Sequence, residues 1–254
     1  MADFYSAFTS KWNFDDATGS PQDSIGTRHG GTVGGVPDRS TGYSWIFDGI
    51  DDDVQWTAAN SPLPAAGPWT HTILWRPKAS TNGVLWLVGE GEPSGKPYKR
   101  CVYLYDVPPD QLRTLLNSGS GYLATGREIE DGEWVASVVS YTGGPSNSYN
   151  VVHRTAHASQ IDLSSTVAGA SEPGSQKYFL ARSQTGSSHY PYEVAEIGLV
   201  DGTTYSIADM QDQADAMLAT IGWGVGGSAT QEMVSLSPSR MASWMVNNMT
   251  SSTS

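Results

Sequence analysis

The stretch Phe47-Asp48-Gly49-Ile50-Asp51-Asp52-Asp53-Val54, followed by Pro68-Trp69-Thr70-His71-Thr72-Ile73-Leu74-Trp75-Arg76-Pro77, decides the fold. Asp-Gly pairs favour turns, because glycine accepts the left-handed backbone and aspartate bonds its own main chain. The second segment alternates large and polar side chains from Trp69 to Trp75, the two-residue period of a strand with one face in a core. Turn, then strand, is the unit that recurs along the chain.

Working outward, Gly83 to Gly89 is a nearly continuous apolar run, as in a strand buried in a sandwich. Further strands are expected at Val102–Tyr105, Leu112–Leu116, Trp134–Tyr141, Tyr149–His153, Tyr178–Arg182 and Glu193–Val200. Between them stand turn clusters at 93–95, 108–109, 118–121, 143–145 and 186–188. About a dozen short strands at this spacing predict a two-sheet antiparallel sandwich.

The bulk composition agrees. The chain has 254 residues, with Gly 28, Pro 14, Trp 9 and Tyr 12, and charged residues make up 16%. That is below the roughly 25% usual for soluble domains. The formal net charge is -12, which repels a phosphate backbone and argues against nucleic acid as a partner. The single cysteine, Cys101, excludes an internal disulfide, and its place in an expected strand points to inert packing. Met1 to Ser6 shows neither a basic region nor an apolar run, so no secretory leader is expected. No stretch approaches the roughly 20 apolar residues of a membrane span.

Helix signals are confined to the end. Ser206 and Asp209 form a capping box for a helix over 207–220. Ile207, Met210, Ala214, Met217, Leu218 and Ile221 fall on one face of it. The domain is therefore expected over 1–222, terminal helix included. Gly222, Gly224, Gly226 and Gly227 then form a hinge to an arm over 223–254. Ser237-Pro238 is an N-cap with proline at the first helical position. Met241, Trp244, Met245 and Met249 share a helical face beyond it, on a helix too short to stand alone in water. These four are the candidate partner-binding residues.

Several pieces together resemble the laminin G-like domains of the concanavalin A-like lectin and glucanase superfamily. They are Trp12-Asn13-Phe14-Asp15-Asp16, Asp23 to Gly26 with His29 to Thr32, the Phe47–Val54 and Trp69–Pro77 segments, Asp131-Gly132-Glu133-Trp134, and Glu193 to Leu199. The resemblance spans roughly residues 10 to 220. It implies a jelly-roll sandwich whose tryptophans pack between the sheets, with Trp12, Phe47, Trp75, Trp86, Trp134 and Ile197 in the core. Binding loops vary across such domains, so no ligand residue carries over. Some relatives bind calcium at the sandwich edge, and Asp51, Asp52 and Asp53 could offer oxygens. No loop of alternating oxygen ligands is visible, however, so a solvated turn is the favoured reading and no metal or cofactor is assigned.

Glu128-Ile129-Glu130-Asp131-Gly132-Glu133 resembles the catalytic strand of laminarinase-type glucanases, which share this sandwich. Retaining chemistry needs carboxyls about 5 to 5.5 Å apart. Here Glu130 stands where Asp would be needed, and Asp131-Gly132 favours a turn. No catalytic residue is assigned, and the chain is read as a non-enzyme. His153 and His157 would be about 13 Å apart on a strand, too far to share zinc, and are expected to be surface histidines. Gly89 to Pro97 lacks the spacing and the helix of a phosphate loop. Trp56, Tyr98, Tyr122, Tyr190 and Tyr192 lie in or near loops and are candidate sugar-stacking aromatics.

The function expected from these features is a structural or adhesion module. Without leader, disulfide or anchor, a phage-type virion surface protein fits best, as a capsid decoration or a head or tail fibre component. It would fold in the host cytosol and attach to a capsid or other virion subunit through its arm, with homo-oligomers allowed. A lectin-like glycan-binding module, working outside cells, is the first alternative. A glycoside hydrolase or lyase on the same fold is the second.

Overall fold

The computed structural model of the chain describes residues 4–64, 67–78, 83–91, 100–106, 111–117, 121–124, 132–143, 148–155, 161–166, 177–182 and 189–221. The expected arm, with Met241, Trp244, Met245 and Met249, lies outside them, as do Tyr98, Glu128, Glu130 and His157. A one-turn helix α1 (Phe4–Ala7) leads into β1 (Ser10–Asn13), β2 (Thr32–Gly34), β3 (Trp45–Ile46), β4 (Asp53–Trp56) and β5 (Trp69–Pro77). Then come β6 (Gly83–Gly91), β7 (Arg100–Asp106), β8 (Gln111–Asn117), β9 (Gly121–Ala124) and β10 (Val135–Tyr141). The chain continues through β11 (Ser148–Thr155), β12 (Ile161–Thr166), β13 (Lys177–Leu180), β14 (Tyr192–Asp201) and helix α2 (Ile207–Ala219).

The strands form two antiparallel sheets. One has the order β1-β14-β5-β10-β11-β12, with β3 also on β14, and the other runs β2-β4-β13-β6-β7-β8-β9. This is the all-β sandwich expected from the strand spacing. Strand β13 stops at Leu180, short of the expected Arg182, because Ala181 takes a left-handed φ of 58° that breaks the ladder.

Trp12, Trp45, Phe47, Trp56, Ile73 and Trp75 are fully buried in the main core. Trp12 lies on the first sheet and meets Trp56 of the second edge-on, with ring centroids 6.1 Å apart. Trp56 meets Tyr178 in the same way at 5.4 Å, a geometry aromatic quadrupoles favour. Phe47, Trp75 and Ile197 occupy the core as the alternation predicts.

Trp134 corrects that pattern. It is buried, but it packs with Leu74, Met210, Met217 and Leu218 on the outer face of the first sheet. The cause is parity: Val135, the next residue, points into the main core, so Trp134 must point outward. Helix α2 covers this outer face. Ser206 Oγ accepts the Asp209 amide at 3.2 Å, and Met210, Ala214, Met217 and Leu218 are buried beneath the helix. Ile207 and Ile221 lie at its margins.

His153 is a second correction. It is not a surface histidine but is wholly buried in β11, opposite Ser137 of β10. Trp75 Nε1 donates to Ser137 Oγ at 3.0 Å, and Ser137 Oγ lies 2.9 Å from His153 Nδ1. Burial pushes the His153 pKa down to about 3, so it stays neutral at ordinary pH.

Two buried carboxylates of the first sheet are ion-paired. Glu193 is fully buried and accepts from Ser44 Oγ at 2.6 Å, Arg76 Nε at 2.7 Å and Lys78 Nζ at 3.2 Å. A β-bulge between Val194 and Glu196 turns Glu196 to the same outer face, where Lys11 Nζ lies 2.9 Å away.

Candidate functional site

The loops that join β1 to β2 and β2 to β3 meet at one rim of the sandwich. Residue pairing pins the second loop, since Asp38 and Ile46 exchange backbone hydrogen bonds of 2.9 and 2.8 Å. Arg39 ties the two loops together. Its Nη2 donates to the Gly19 carbonyl at 2.9 Å, and its guanidinium lies 3.7 Å from the centre of the Trp45 ring. Trp45 Nε1 in turn donates to the Asp16 carbonyl at 3.1 Å. Cation–π stacking on the buried Trp45 ring anchors the Arg39 side chain.

Arg39 borders an open groove of about 890 Å³, lined among others by Thr18, Ser20, Thr32, Val36, Asp38 and Ser40. This volume is within the range of small-ligand sites. Hydroxyls dominate the polar lining. Val36 stands 89% exposed on the wall, an apolar contact surface without cover. Asp38 is exposed, and its Oδ1 accepts the Ser40 amide at 2.8 Å. The amide and hydroxyl of Ser40 hold its carboxyl below the usual range, so it is ionised at neutral pH.

At the Gly35 end of the groove stands a carboxylate cluster, Asp48, Asp51 and Asp52, whose oxygens lie within 4.8 Å of one another. Gly35 is what lets the loop pass so close. Its φ is +60°, and a Cβ there would sit 2.3 Å from Asp52 Oδ1. Asp48 Oδ1 accepts the Ile50 amide at 2.7 Å, and Asp52 Oδ2 accepts the Asp48 amide at 3.0 Å. These are the bonds of a tight turn. Burial, with Asp48 and Asp51 alongside, raises the Asp52 carboxyl. The three could hold a hard cation, but calcium takes about six to eight oxygens.

The expected grouping of Asp51, Asp52 and Asp53 is therefore changed. Asp53 begins β4 and lies apart, buried, with Arg182 Nη1 at 2.7 Å and His189 Nε2 at 3.4 Å from its Oδ2. Two of the candidate sugar-stacking rings are also corrected. Trp56 and Tyr192 are fully buried in the main core, because the strand period turns them inward, and neither presents a ring face to a ligand. Tyr190 is half-buried and packs against that core. Of Glu133 and its expected partners only Glu133 is described, and it is buried. The groove residues went unread in the sequence, although Gly34-Gly35-Val36-Pro37 placed an apolar residue inside a turn cluster.

No family model and no curated protein matches this chain. Solved structures do match in fold. A Trypanosoma rangeli sialidase in complex with sialic acid aligns over 86% of this chain and 34% of its own, with TM-score 0.59 and 16% identity. The binding domain of Botulinum neurotoxin DC, in complex with rat synaptotagmin II, aligns over 86% and 55%, with TM-score 0.60 and 9% identity. Domain 4 of AbnA, a GH43 extracellular arabinanase from Geobacillus stearothermophilus in complex with arabinotriose, aligns over 82% and 98%, with TM-score 0.54 and 13% identity. This chain thus spans about a third of the sialidase and nearly all of the arabinanase domain. At these identities the likeness is one of fold. No helix among the described residues is long and apolar enough to cross a membrane.

Proposed function

We propose that this chain is a non-catalytic binding module of the laminin G-like, concanavalin A-like kind, and that it recognises a glycan in the rim groove. The observation that carries this reading is the groove itself. It is open and lined by hydroxyls, one carboxylate, the bare Val36 and an Arg39 anchored on the buried Trp45. Few placed polar groups beside an apolar contact suit a sugar, which offers hydroxyls on its edges and C–H on its faces. The similar arabinanase domain, aligned over nearly all of its length, is in complex with arabinotriose, which supports the ligand class. The buried Glu193 and Glu196 are engaged in ion pairs, which supports a structural part for them over an acid–base one. The test is calorimetric titration with neutral, amino and acidic oligosaccharides, repeated on Thr18→Trp, which fills the groove from an exposed position. Binding that Thr18→Trp abolishes without lowering stability is the expected result.

The attachment reading concerns residues 223–254. The stripe Met241, Trp244, Met245 and Met249 supports an arm that docks on another subunit, and a capsid or other virion protein at a virion surface is the partner we propose. A glycan-binding head on an assembly arm unites both readings. Co-sedimentation of the full chain with candidate capsid subunits tests it.

A further inference from the structure

We propose, resting on the glycan-binding reading above, that the rim groove selects sugars bearing a free amino group and rejects acidic sugars. Arg39 is the one lysine or arginine among the described lining residues, and its guanidinium is already partly engaged. Its Nη2 is held by the Gly19 carbonyl, its Nη1 is buried, and its face is covered by Trp45. The field of the Asp16 carboxylate also reaches Arg39. Lys78, whose field reaches Asp38, is ion-paired to Glu193 at 3.2 Å.

The negative groups are differently placed. Asp38 is exposed on the groove wall, and the Ser40 amide orients its carboxylate. Asp48, Asp51 and Asp52 add their field at the Gly35 end. The chain as a whole carries -12. A sialic or uronic acid entering this groove would bring a carboxylate towards carboxylates, with the one lining guanidinium already held by the Gly19 carbonyl and Trp45. A protonated 2-amino group would instead form a charge-assisted hydrogen bond to Asp38. The exposed hydroxyls of Thr18, Thr32 and Ser40 would then meet the sugar's own hydroxyls. A lysine side chain could use Asp38 but would leave those hydroxyls unmatched, so the sugar is favoured over a basic peptide.

The experiment titrates the full chain with a β-1,4-linked glucosamine tetramer, its N-acetylated form, 3′-sialyllactose and tetralysine. It is run at low salt and about pH 6, where a sugar amine is protonated. The glucosamine tetramer should bind tightest. Asp38→Asn should weaken it about ten-fold, the loss expected for one hydrogen bond between charged groups, and weaken the N-acetylated form markedly less. Asparagine can still accept the Ser40 amide, so the loop should persist. Sialyllactose or tetralysine binding as tightly as the amino sugar would overturn the selectivity, as would an Asp38→Asn variant with undiminished affinity, while the glycan-binding reading survived. Failure of every saccharide to bind would sink both.

Discussion

His71 Nε2 and Tyr178 Oη lie 3.0 Å apart in the inter-sheet core, a polar tie from β5 of one sheet to β13 of the other. Both residues are buried. Such a bond is directional, so it fixes how the two sheets sit on each other. Tyr178→Phe keeps the ring against Trp56 and removes only the hydroxyl. It should cost about 1 to 3 kcal/mol, read from urea unfolding. An unchanged midpoint would show that the tie contributes nothing.

Trp75 fills the main core, meets Tyr192 edge-on at 5.4 Å and donates to Ser137. Trp75→Ala should destabilise by about 3 to 5 kcal/mol, since it opens a cavity and strips Ser137 of its donor. A melting temperature near that of the parent chain would mean that the inter-sheet face is wrongly assigned.

His153 makes the fold acid-sensitive. Its folded pKa of about 3 lies below the roughly 6.5 of an unfolded histidine. Above the unfolded value both states are neutral and the contribution to stability is complete. As pH falls below it, the unfolded chain binds a proton that the folded chain refuses. Stability should therefore drop by about 1.4 kcal/mol per pH unit from this residue between roughly pH 6 and pH 3. Chemical unfolding across that range, compared with a His153→Gln variant, isolates the effect. The variant should be less stable at neutral pH and show a shallower acid slope. Parallel slopes would contradict the assignment.

Glu193 gathers Ser44, Arg76 and Lys78 on the outer face of the first sheet. Glu193→Gln should cost about 3 kcal/mol, the lower end for a broken buried pair, because the two cations keep part of their exposure to water. Equilibrium unfolding measures it, and a neutral outcome would place these charges among ordinary surface pairs.

Deleting residues 228–254 should leave the sandwich folded and soluble, with its far-ultraviolet spectrum and melting temperature kept. It should lose any self-association or attachment seen for the full chain in sedimentation velocity. Loss of folding on truncation would show instead that the arm covers a face of its own domain.

The fold was legible because its signals are local. The Phe47–Val54 turn, the alternation of Trp69–Trp75 and the Ser206–Asp209 cap each specify their own geometry, and the helix fell within a residue of its expected end. Parity was harder to read. Trp134, Trp56 and Tyr192 stand beside turn signals that say nothing of their facing, whereas a one-residue offset decides which way a strand residue points. The burial of His153 follows from the same rule, since Val151 two residues earlier faces the core. The groove could not be read, because it is made by loops around residues 17–20 and 32–40 that meet only when β1 and β2 take their places in opposite sheets. Arg39 and Trp45 give no sign in the sequence that they will stack.

The most direct test of the account is a nuclear magnetic resonance titration of the full chain with glucosamine, N-acetylglucosamine and arabinose oligomers, following the backbone amides. The account predicts saturable shifts concentrated in residues 17–20 and 32–40 for at least one of these sugars, absent in Thr18→Trp. Shifts centred on another face of the sandwich, or no saturable shift with any of the three, would contradict it.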